Sequence, residues 1–498
     1  MQEKLVIKMT KYIGATIGPI YNTISRAEST RELWSSSYLF SYIMREIIKE
    51  LCKKGKKFIL PYTGDNYLEG GKGIGLFHDR FIMRVKSEKD FDDIIKIKNT
   101  ILEKLEKEIE RDLKEYISFY LIEKDLKENE NIIFEISKYL DILELEPKLN
   151  QKFDYQEFYK YLGGVDNKFI KDAKVVEIKS LPEIAMKDGY NLLTNSQKNI
   201  IDRIFKEHGK NDDVEAYNKL QKSLKSREIP LKKYNSYYAL LKADGDGIGK
   251  IIEKIGKKND ENEYIDFSKS LFEFAKNMNS NKEDVYNIVK NYDGLSIYVG
   301  GDDILCFLPI KNGNKDIFEV IEKLSKLFYN SFKSENPTLS FGVTINYYKY
   351  PLYEALDKVD EMLYKAKNNG KNAVAINFEK HSGKPTEFIL KKTEYKIPEN
   401  IKRIFNVFID TKYMNGVIKR IENDYFILNV IGKNKEKVKN YFENTFKDKK
   451  HKNDSELREE IKLLEDLVIE FSKNNSLKEL YKLLKFVCFL NEEGGENA

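Results

Sequence analysis

Two acidic turns could do chemistry. In "LSIYVGGDDILCFLP" the pair Asp302 and Asp303 follows Gly300 and Gly301, between apolar runs that read as strands. In "LLKADGDGIGKII" Asp244 and Asp246 alternate with Gly245 and Gly247 where a strand hands over to a helix. Carboxylates so placed can hold divalent cations, because Mg2+ takes oxygen ligands and only a few of them from protein. Two such ions on a nucleoside triphosphate polarise the α-phosphate, lower the pKa of an attacking hydroxyl and neutralise the departing pyrophosphate. Gly245, Gly247 and Gly249 let the backbone approach a triphosphate, and amides at the helix start near Ile248 can donate to it. Lys367 and Lys371 in "YKAKNNGKNAVAI" flank a helix end at the same sheet edge, where an ammonium supplies a point charge for phosphate. Each feature alone has an ordinary explanation: a Gly-Gly or Gly-Asp hairpin turn, a loop, a solvated lysine. An EF-hand is excluded for "DGDG", because the closing Glu is missing and position 255 is Ile. The combination, in this strand order, is what points to nucleotidyl transfer.

The elements that must position these residues begin near Tyr234. The order there reads β, α, β, β, α, β, α, β, which contains the split βαβ pattern of a ferredoxin-like sheet with helices on one face. In that arrangement the strand ending at Ala243 and the hairpin turning at Gly300 to Asp303 can lie side by side, gathering three or four carboxylates at one edge. Ahead of it, "LVIKMTKYIGA" reads as a strand. Residues 29–51 carry Leu33, Trp34, Tyr38, Phe40, Ile43, Ile47 and Ile48 at helical spacing. "KKFILPY" and "RFIMRVKS" read as strands, and helical pattern resumes from Phe91 to about Glu123. "VVEIKSLPEIAM" reads as extended within a mainly helical stretch. The expected class is α+β, with two sheet-containing domains. The expected boundaries are 1–130 for an N-terminal sheet domain, 131–232 for a helical linking domain, 233–385 for the domain of the acidic turns, and 386–498 for a helical C-terminal domain with a short strand pair around "YFILNVI".

Composition sets outer bounds. The 498 residues, 41% hydrophobic and 12% aromatic, suit several folded domains rather than disorder. The 86 Lys plus Arg against 81 Asp plus Glu leave a net charge of +5, too small a bias to argue for nucleic acid, and "KDKKHK" at 447–452 reads as a solvated face. Cys52, Cys306 and Cys488 form no C-x-x-C pair, which argues against structural zinc or a disulfide framework. No window approaches the ~18 apolar residues of a membrane span. The expectation is a soluble, cytoplasmic protein without a membrane partner. "GGKGIG" at 70–75 lacks Walker A spacing, and His78–Asp79 has no second His nearby, so both read as loop or turn.

The same residues resemble a known family. "IGPIYNTISRAESTRELWSSSYLFSYIMREI" is similar to the N-terminal signature of the large subunit of type III-B, Cmr-type CRISPR effector complexes, with "FHDRFIMRV" and "KSLPEIAM" following as its next segments. "LLKADGDGIGKII", "YVGGDDILCFLP" and "ALDKVDEMLYKAKNNGKNAVAI" resemble that family's catalytic Palm, a relative of adenylate and GGDEF cyclases. The likeness runs over roughly residues 10–380, and the Trp34 motif separates it from an ordinary GGDEF protein. It implies two ferredoxin-like Palm/cyclase-type domains, the first non-catalytic and the second the catalytic Palm. It also implies an antiviral subunit that, when guide CRISPR RNA pairs with target RNA, makes an adenylate second messenger from ATP with Mg2+ or Mn2+. By that resemblance Asp244, Asp302 and Asp303 are metal ligands, with Asp302 and Asp303 catalytic. Gly245, Asp246, Gly247, Ile248, Gly249, Gly300, Gly301, Lys367 and Lys371 then hold nucleotide. The product is cyclic oligoadenylate or AMP joined to S-adenosylmethionine, and the partners are guide RNA, target RNA and other Cmr-type subunits. Two departures from the family stand out. The N-terminal signature begins almost at residue 10, so an HD nuclease domain and DNA cleavage are not expected; and the cysteines of a zinc ribbon are absent. The competing readings are a free-standing GGDEF-like cyclase and a non-enzymatic scaffold.

Overall fold

The computed structural model describes residues 9–145, 153–175, 177–208, 232–258, 260–279, 282–332, 337–380, 384–406, 411–446, 455–473 and 476–492. The start of the first expected strand, before Met9, and the run "KDKKHK" lie outside these residues.

Two sheets carry the architecture. The first contains β1 (Met9–Gly18), β2 (Phe58–Leu60), β3 (Arg80–Arg84) and β4 (Ser118–Lys127), in the order β2-β3-β1-β4. The second contains β5 (Tyr237–Asp246), β6 (Leu295–Gly300), β7 (Asp303–Pro309), β10 (Thr338–Tyr347), β11 (Ala373–Phe378) and β12 (Thr386–Lys391), in the order β12-β11-β10-β5-β7-β6. A two-residue pair, β8 (Lys311–Asn312) and β9 (Lys315–Asp316), stands apart. The run β4-β1-β3-β2 and the run β10-β5-β7-β6 have the same order and the same antiparallel pairing. Both are therefore ferredoxin-like, and the second is extended by β11, parallel to β10, and by β12.

The helix Thr30–Lys53 shows how the sequence builds the first unit. Ser29 caps it by accepting from the Glu32 N–H at 3.2 Å, and Leu33, Trp34, Tyr38, Ile43 and Ile47 form its buried stripe. Trp34 stacks on Tyr38 with ring centroids 4.8 Å apart. On the same helix Arg45 reaches Asp172 through two hydrogen bonds of 2.7 and 3.0 Å, a fork that ties the helical segment following the first sheet to its core.

Four readings of the sequence need correction. The helical pattern from Phe91 stops at Ile109, where Glu110 turns left-handed at φ 57°, and residues 118–127 form β4 along the whole of β1. The charged residues in "SFYLIEKDLK" suit an edge strand, where they discourage further pairing, and they imitate helical spacing in a linear reading. Within "VVEIKSLPEIAM", Leu181–Ala185 is a helix; the Glu183 carboxylate accepts from the Ser180 N–H at 2.6 Å and Pro182 sits in the first turn. "YFILNVI" is the helix Tyr425–Ile431 rather than a strand pair. Beyond residue 386, where helix was expected, β12 adds a sixth strand to the second sheet.

The two sheet units are packed against each other. The segment 61–79, between β2 and β3, lies on the helix Glu261–Ala275: the Tyr62 N–H donates to Ser268 Oγ at 2.8 Å, and the Tyr67 hydroxyl to the Lys276 carbonyl just beyond it at 3.0 Å. Tyr67 and Phe77 both meet Phe272 edge-on, at 5.0 and 5.4 Å.

Candidate active site

The turn between β6 and β7 is two residues long, with Gly300 opposite Asp303 and Gly301 at the first central position with φ 67°. A side chain there would be strained, so glycine is what lets the hairpin close this tightly. Tyr298 folds its ring back under Gly300, where any β-carbon would collide with it. Asp302 is presented to β5: its Oδ2 lies 2.5 Å from where a β-carbon on Gly245 would sit, and the Gly245 backbone N–H supports the carboxylate. The glycine in "DGDG" thus makes room for the aspartate of "GGDD".

Side-chain alternation along β5 gives its other residues a different task. Lys242, Asp244 and Asp246 share one face, and that face meets the helix Leu352–Asn368. Asp360 of the helix pairs with Lys242. Lys367, seven residues on and so on the same helical face, places Nζ 2.9 Å from Asp244 Oδ1, 3.3 Å from Asp246 Oδ1 and 2.7 Å from the Gly245 carbonyl. Asp246 is 6% exposed and also accepts from the Thr338 and Ser340 hydroxyls, at 2.9 and 2.8 Å, and from the Asn372 N–H at 3.0 Å. It is the anchor of this corner, with its oxygens already occupied. Gly247 turns at φ 91° into the helix that starts at Ile248, and Gly249 faces open space. Lys371 is exposed, with φ 60° in the turn after Asn368.

The hairpin carboxylates have unusual acidity. Burial, then the neighbouring Asp244, pushes Asp302 up to about 6; burial, then Asp302 and Asp244, pushes Asp303 up to about 7. Lys367 works against both shifts. Asp244 raises both hairpin carboxyls and Asp302 raises Asp303, so the site is short of positive charge, and carboxylate oxygens are the donor type that Mg2+ prefers. Among the described residues no three His, Cys, Asp or Glu close to the spacing of a complete protein cage. The expected carboxylates do meet at this sheet edge: Asp244 is near enough to raise both hairpin carboxyls while its Oδ1 is paired with Lys367, and Asp246 is taken up by its own hydrogen bonds. The set fits a cation that takes a few protein oxygens and completes its shell from phosphate and water.

Asp303 opens into a cavity of about 980 Å3 between the two sheet units. Tyr298 and Lys242 line it from the second unit; Asp79, Tyr116 and Glu144 line it from the other side. Sequence reasoning passed over most of these. His78 and Asp79 were read as a polar turn, yet His78 Cε1 is 3.1 Å from the β-carbon position of Gly301, and burial holds its imidazole near 4, hence neutral. Burial likewise raises the Asp79 carboxyl to about 6, and its half-buried side chain lines the cavity. The signal was the adjacent His-Asp pair itself. What a linear reading lacks is the pairing of β3 with β1, which turns the preceding loop toward the hairpin.

A ferredoxin-like sheet with paired aspartates at the β6–β7 turn, a glycine-rich β5 exit and a lysine over both defines a palm domain of the nucleotide-cyclase and polymerase type. Family comparison is specific. Residues 237–375 match the second palm domain of Cas10/Cmr2, and residues 12–118 match the N-terminal domain of the CRISPR-associated protein Cmr2. The chain carries these two domains of the Cas10/Cmr2 family. It is 28% identical over 292 residues to the CRISPR system Cmr subunit Cmr2 of Pyrococcus furiosus, a match covering 51% of this chain and 32% of that protein. The match thus spans about a third of the curated relative's length. Among solved structures, the type III-B Cmr-beta assembly in its apo state aligns over 95% of this chain and 78% of the other, with TM-score 0.56 and 12% identity. A Csm1–Csm4 cassette in complex with cA4 aligns over 97% and 70%, with TM-score 0.52 and 14% identity. At these identities the likeness is one of fold. No helix among the described residues is long and apolar enough to cross a membrane.

Proposed function

We propose that this chain is the nucleotidyl-transferring subunit of a type III-B RNA-guided effector assembly, working beside other Cmr-type subunits, guide RNA and target RNA. The observation that carries the reading is the placement of Asp302 and Asp303, with raised pKa values, between the Lys367 corner and a large cavity. In the reaction a hydroxyl oxygen of an acceptor bonds to the α-phosphorus of ATP, the bond to the bridging oxygen breaks, and pyrophosphate leaves with that electron pair. Asp302, Asp303 and Asp244 would hold Mg2+, which supplies charge neutralisation and a more acidic hydroxyl. Lys367, drawn off Asp244 by the stronger charge of a triphosphate, is placed to receive phosphate oxygens. Gly245 and Gly247 keep the strand exit free of side chains. The likeness of fold to a Csm1–Csm4 cassette solved in complex with AMPPNP supports nucleotide binding by a chain of this fold.

The cavity lining bears on the acceptor. Asp79, Glu144, Asp303 and Asp360 contribute carboxylates, and the cations that line it are Arg26, which stacks over Tyr155 at 4.2 Å, and Lys242, already paired with Asp360. Glu144 is held by Arg80 and Asp360 by Lys242, so a second triphosphate would meet Asp303 and, at 3.8 Å from Arg80, Asp79 as the less compensated carboxylates. A cationic acceptor such as S-adenosylmethionine is the better match by charge, so of the two products, AMP joined to S-adenosylmethionine is favoured over cyclic oligoadenylate. A free-standing cyclase leaves the docked N-terminal unit without a role, and a pure scaffold leaves the buried carboxylate pair unexplained.

The test is mass spectrometry of small-molecule products from the assembled complex given target RNA, Mg2+ and ATP, with and without S-adenosylmethionine. A conjugate formed only when S-adenosylmethionine is present is expected. Cyclic oligoadenylates in both samples would make ATP the acceptor, and no target-dependent product would leave the scaffold reading.

A further inference from the structure

Behind the site lies a charge that the reaction does not touch. Lys392, immediately after β12, is 6% exposed, and its Nζ makes two hydrogen bonds, to Ser325 Oγ at 2.7 Å and to the Leu339 carbonyl at 2.8 Å. It also lies over the Phe341 ring at 4.5 Å. It has no ion pair among the described residues, and burial brings its pKa down to about 7, while Asp246 and Glu322 pull the other way. A buried ammonium with only neutral partners is costly, and an apolar side chain of similar volume would pack the position better. Packing therefore does not account for a lysine here.

Its surroundings lead to the triphosphate corner. Leu339, whose carbonyl Lys392 holds, is paired across the strands with Gly245, and its neighbour Thr338 with Asp246. The Lys392 N–H donates to the Asn372 carbonyl at 3.0 Å, and the Asn372 side-chain amide donates back to the Lys392 carbonyl at 3.3 Å. The Asn372 N–H is the one that donates to Asp246. Gly370, Lys371 and Asn372 stand at φ 82°, 60° and 45°, three successive left-handed residues, of which Lys371 bears a side chain that disfavours the conformation. Asp246 on one side and Lys392 on the other brace that turn. Asp246 thus feels three lysines: Lys367 in direct contact from the site, Lys392 from behind the sheet, and Lys391 beside it.

We propose that Lys392 is a positioning residue: by sharing the charge of Asp246 from behind the sheet, it limits how tightly that carboxylate holds Lys367, and so keeps Lys367 available to the phosphates of the donor nucleotide. This rests on the reading of Lys367 as a triphosphate ligand. Without Lys392, the charge of Asp246 is shared between Lys367, in direct contact at 3.3 Å, and the more distant Lys391 alone, and a phosphate must compete with a stronger Asp246–Lys367 ion pair.

The test is Lys392→Met in the assembled complex, alone and combined with Lys367→Ala. It is read by equilibrium binding of a non-hydrolysable ATP analogue and, where product forms, by kcat and KM for ATP. The expected result for Lys392→Met is analogue binding weakened about 5- to 10-fold, with KM rising to match and kcat within about twofold. In the Lys367→Ala background the same substitution should add less than about twofold, because the residue it acts through is gone. Equal weakening in both backgrounds, or a fall in kcat with unchanged binding, would overturn the proposal. Should Lys392→Met fail to assemble, Ser325→Ala, which removes one of the two acceptors, is expected to show the same dependence on Lys367 in smaller measure. Binding requires no turnover, so a wild-type complex that binds the analogue but forms no product would sink the proposed function while leaving this proposal decided by the binding series.

Discussion

At the scale of the residue, the site depends on a contact between two short motifs. Gly245 is open on the side that Asp302 fills, so Gly245→Ala must push the carboxylate away. Product formation should drop by about 100-fold, the cost of a misplacement near 1 Å, while circular dichroism and complex assembly stay unchanged. Retained activity would mean that Asp302 is not held where it works. The acidity of the hairpin gives a second expectation. A carboxyl whose folded pKa is raised to about 7 costs no stability below its unfolded value near 4 and its full penalty above about 7. Asp303→Asn removes that penalty, so without Mg2+ the variant should melt higher than wild type at pH 8 and equally at pH 4. An advantage independent of pH would show that the carboxyl is not perturbed. For the wild type, the Mg2+ concentration giving half-maximal activity should fall as pH rises from 6 to 8, because the ion competes with protons on Asp302 and Asp303.

At the scale of the element, the helix Leu352–Asn368 sets where the cations stand. It lies so close to β10 that a β-carbon on Gly342 would collide with the Val359 carbonyl and the Leu363 N–H, both backbone atoms that cannot step aside. Gly342→Ala should cost about 1–3 kcal/mol and should raise KM for ATP by moving Lys367. A variant with lower melting temperature and unchanged KM would separate the helix from the nucleotide. This element also shows what a linear reading could supply. The order of strands and helices from Tyr237 to Phe378, the "GGDD" turn and the lysine-bearing helix end were all visible, because each is a local pattern: alternation, a two-residue turn, a 3.6-residue stripe. The face each residue occupies was not. Alternation along β5 places Asp244 and Asp246 together, but only tertiary packing gives that face Lys367, from the helix Leu352–Asn368, and sets Asp302 against Gly245, from the β6–β7 turn. β4 and β12 escaped for a related reason, since both are edge strands whose charged residues blur the period of two.

At the scale of the molecule, the two ferredoxin-like units bear different parts of one site. The hairpin proposed to be catalytic belongs to the second, whereas from the N-terminal side His78 meets its Gly301 and Asp79 and Glu144 line the cavity beside it, carried by the segment 61–79 and the helix Ile132–Glu144. Alignment of the units therefore has to matter for the reaction, and Tyr67 offers a way to measure it. Its ring is 1% exposed at the junction against Phe272, far from the carboxylates in sequence, and its hydroxyl bonds the Lys276 carbonyl. Tyr67→Ala opens a cavity at the junction and should cost about 3–5 kcal/mol, as for other large aromatic truncations. Tyr67→Phe, losing one hydrogen bond, should cost about 1 kcal/mol. If the segment 61–79 holds Asp79 and His78 against the hairpin, the Ala variant should lose turnover by tenfold or more at temperatures where it remains folded, and the Phe variant should lose little. Acceptor KM should rise more than ATP KM, since the residues that shift line the cavity and not the Lys367 corner. Equal kinetics for wild type and a folded Tyr67→Ala variant would show that the second palm works without the N-terminal unit's alignment, and would reduce the shared cavity to a packing defect between domains.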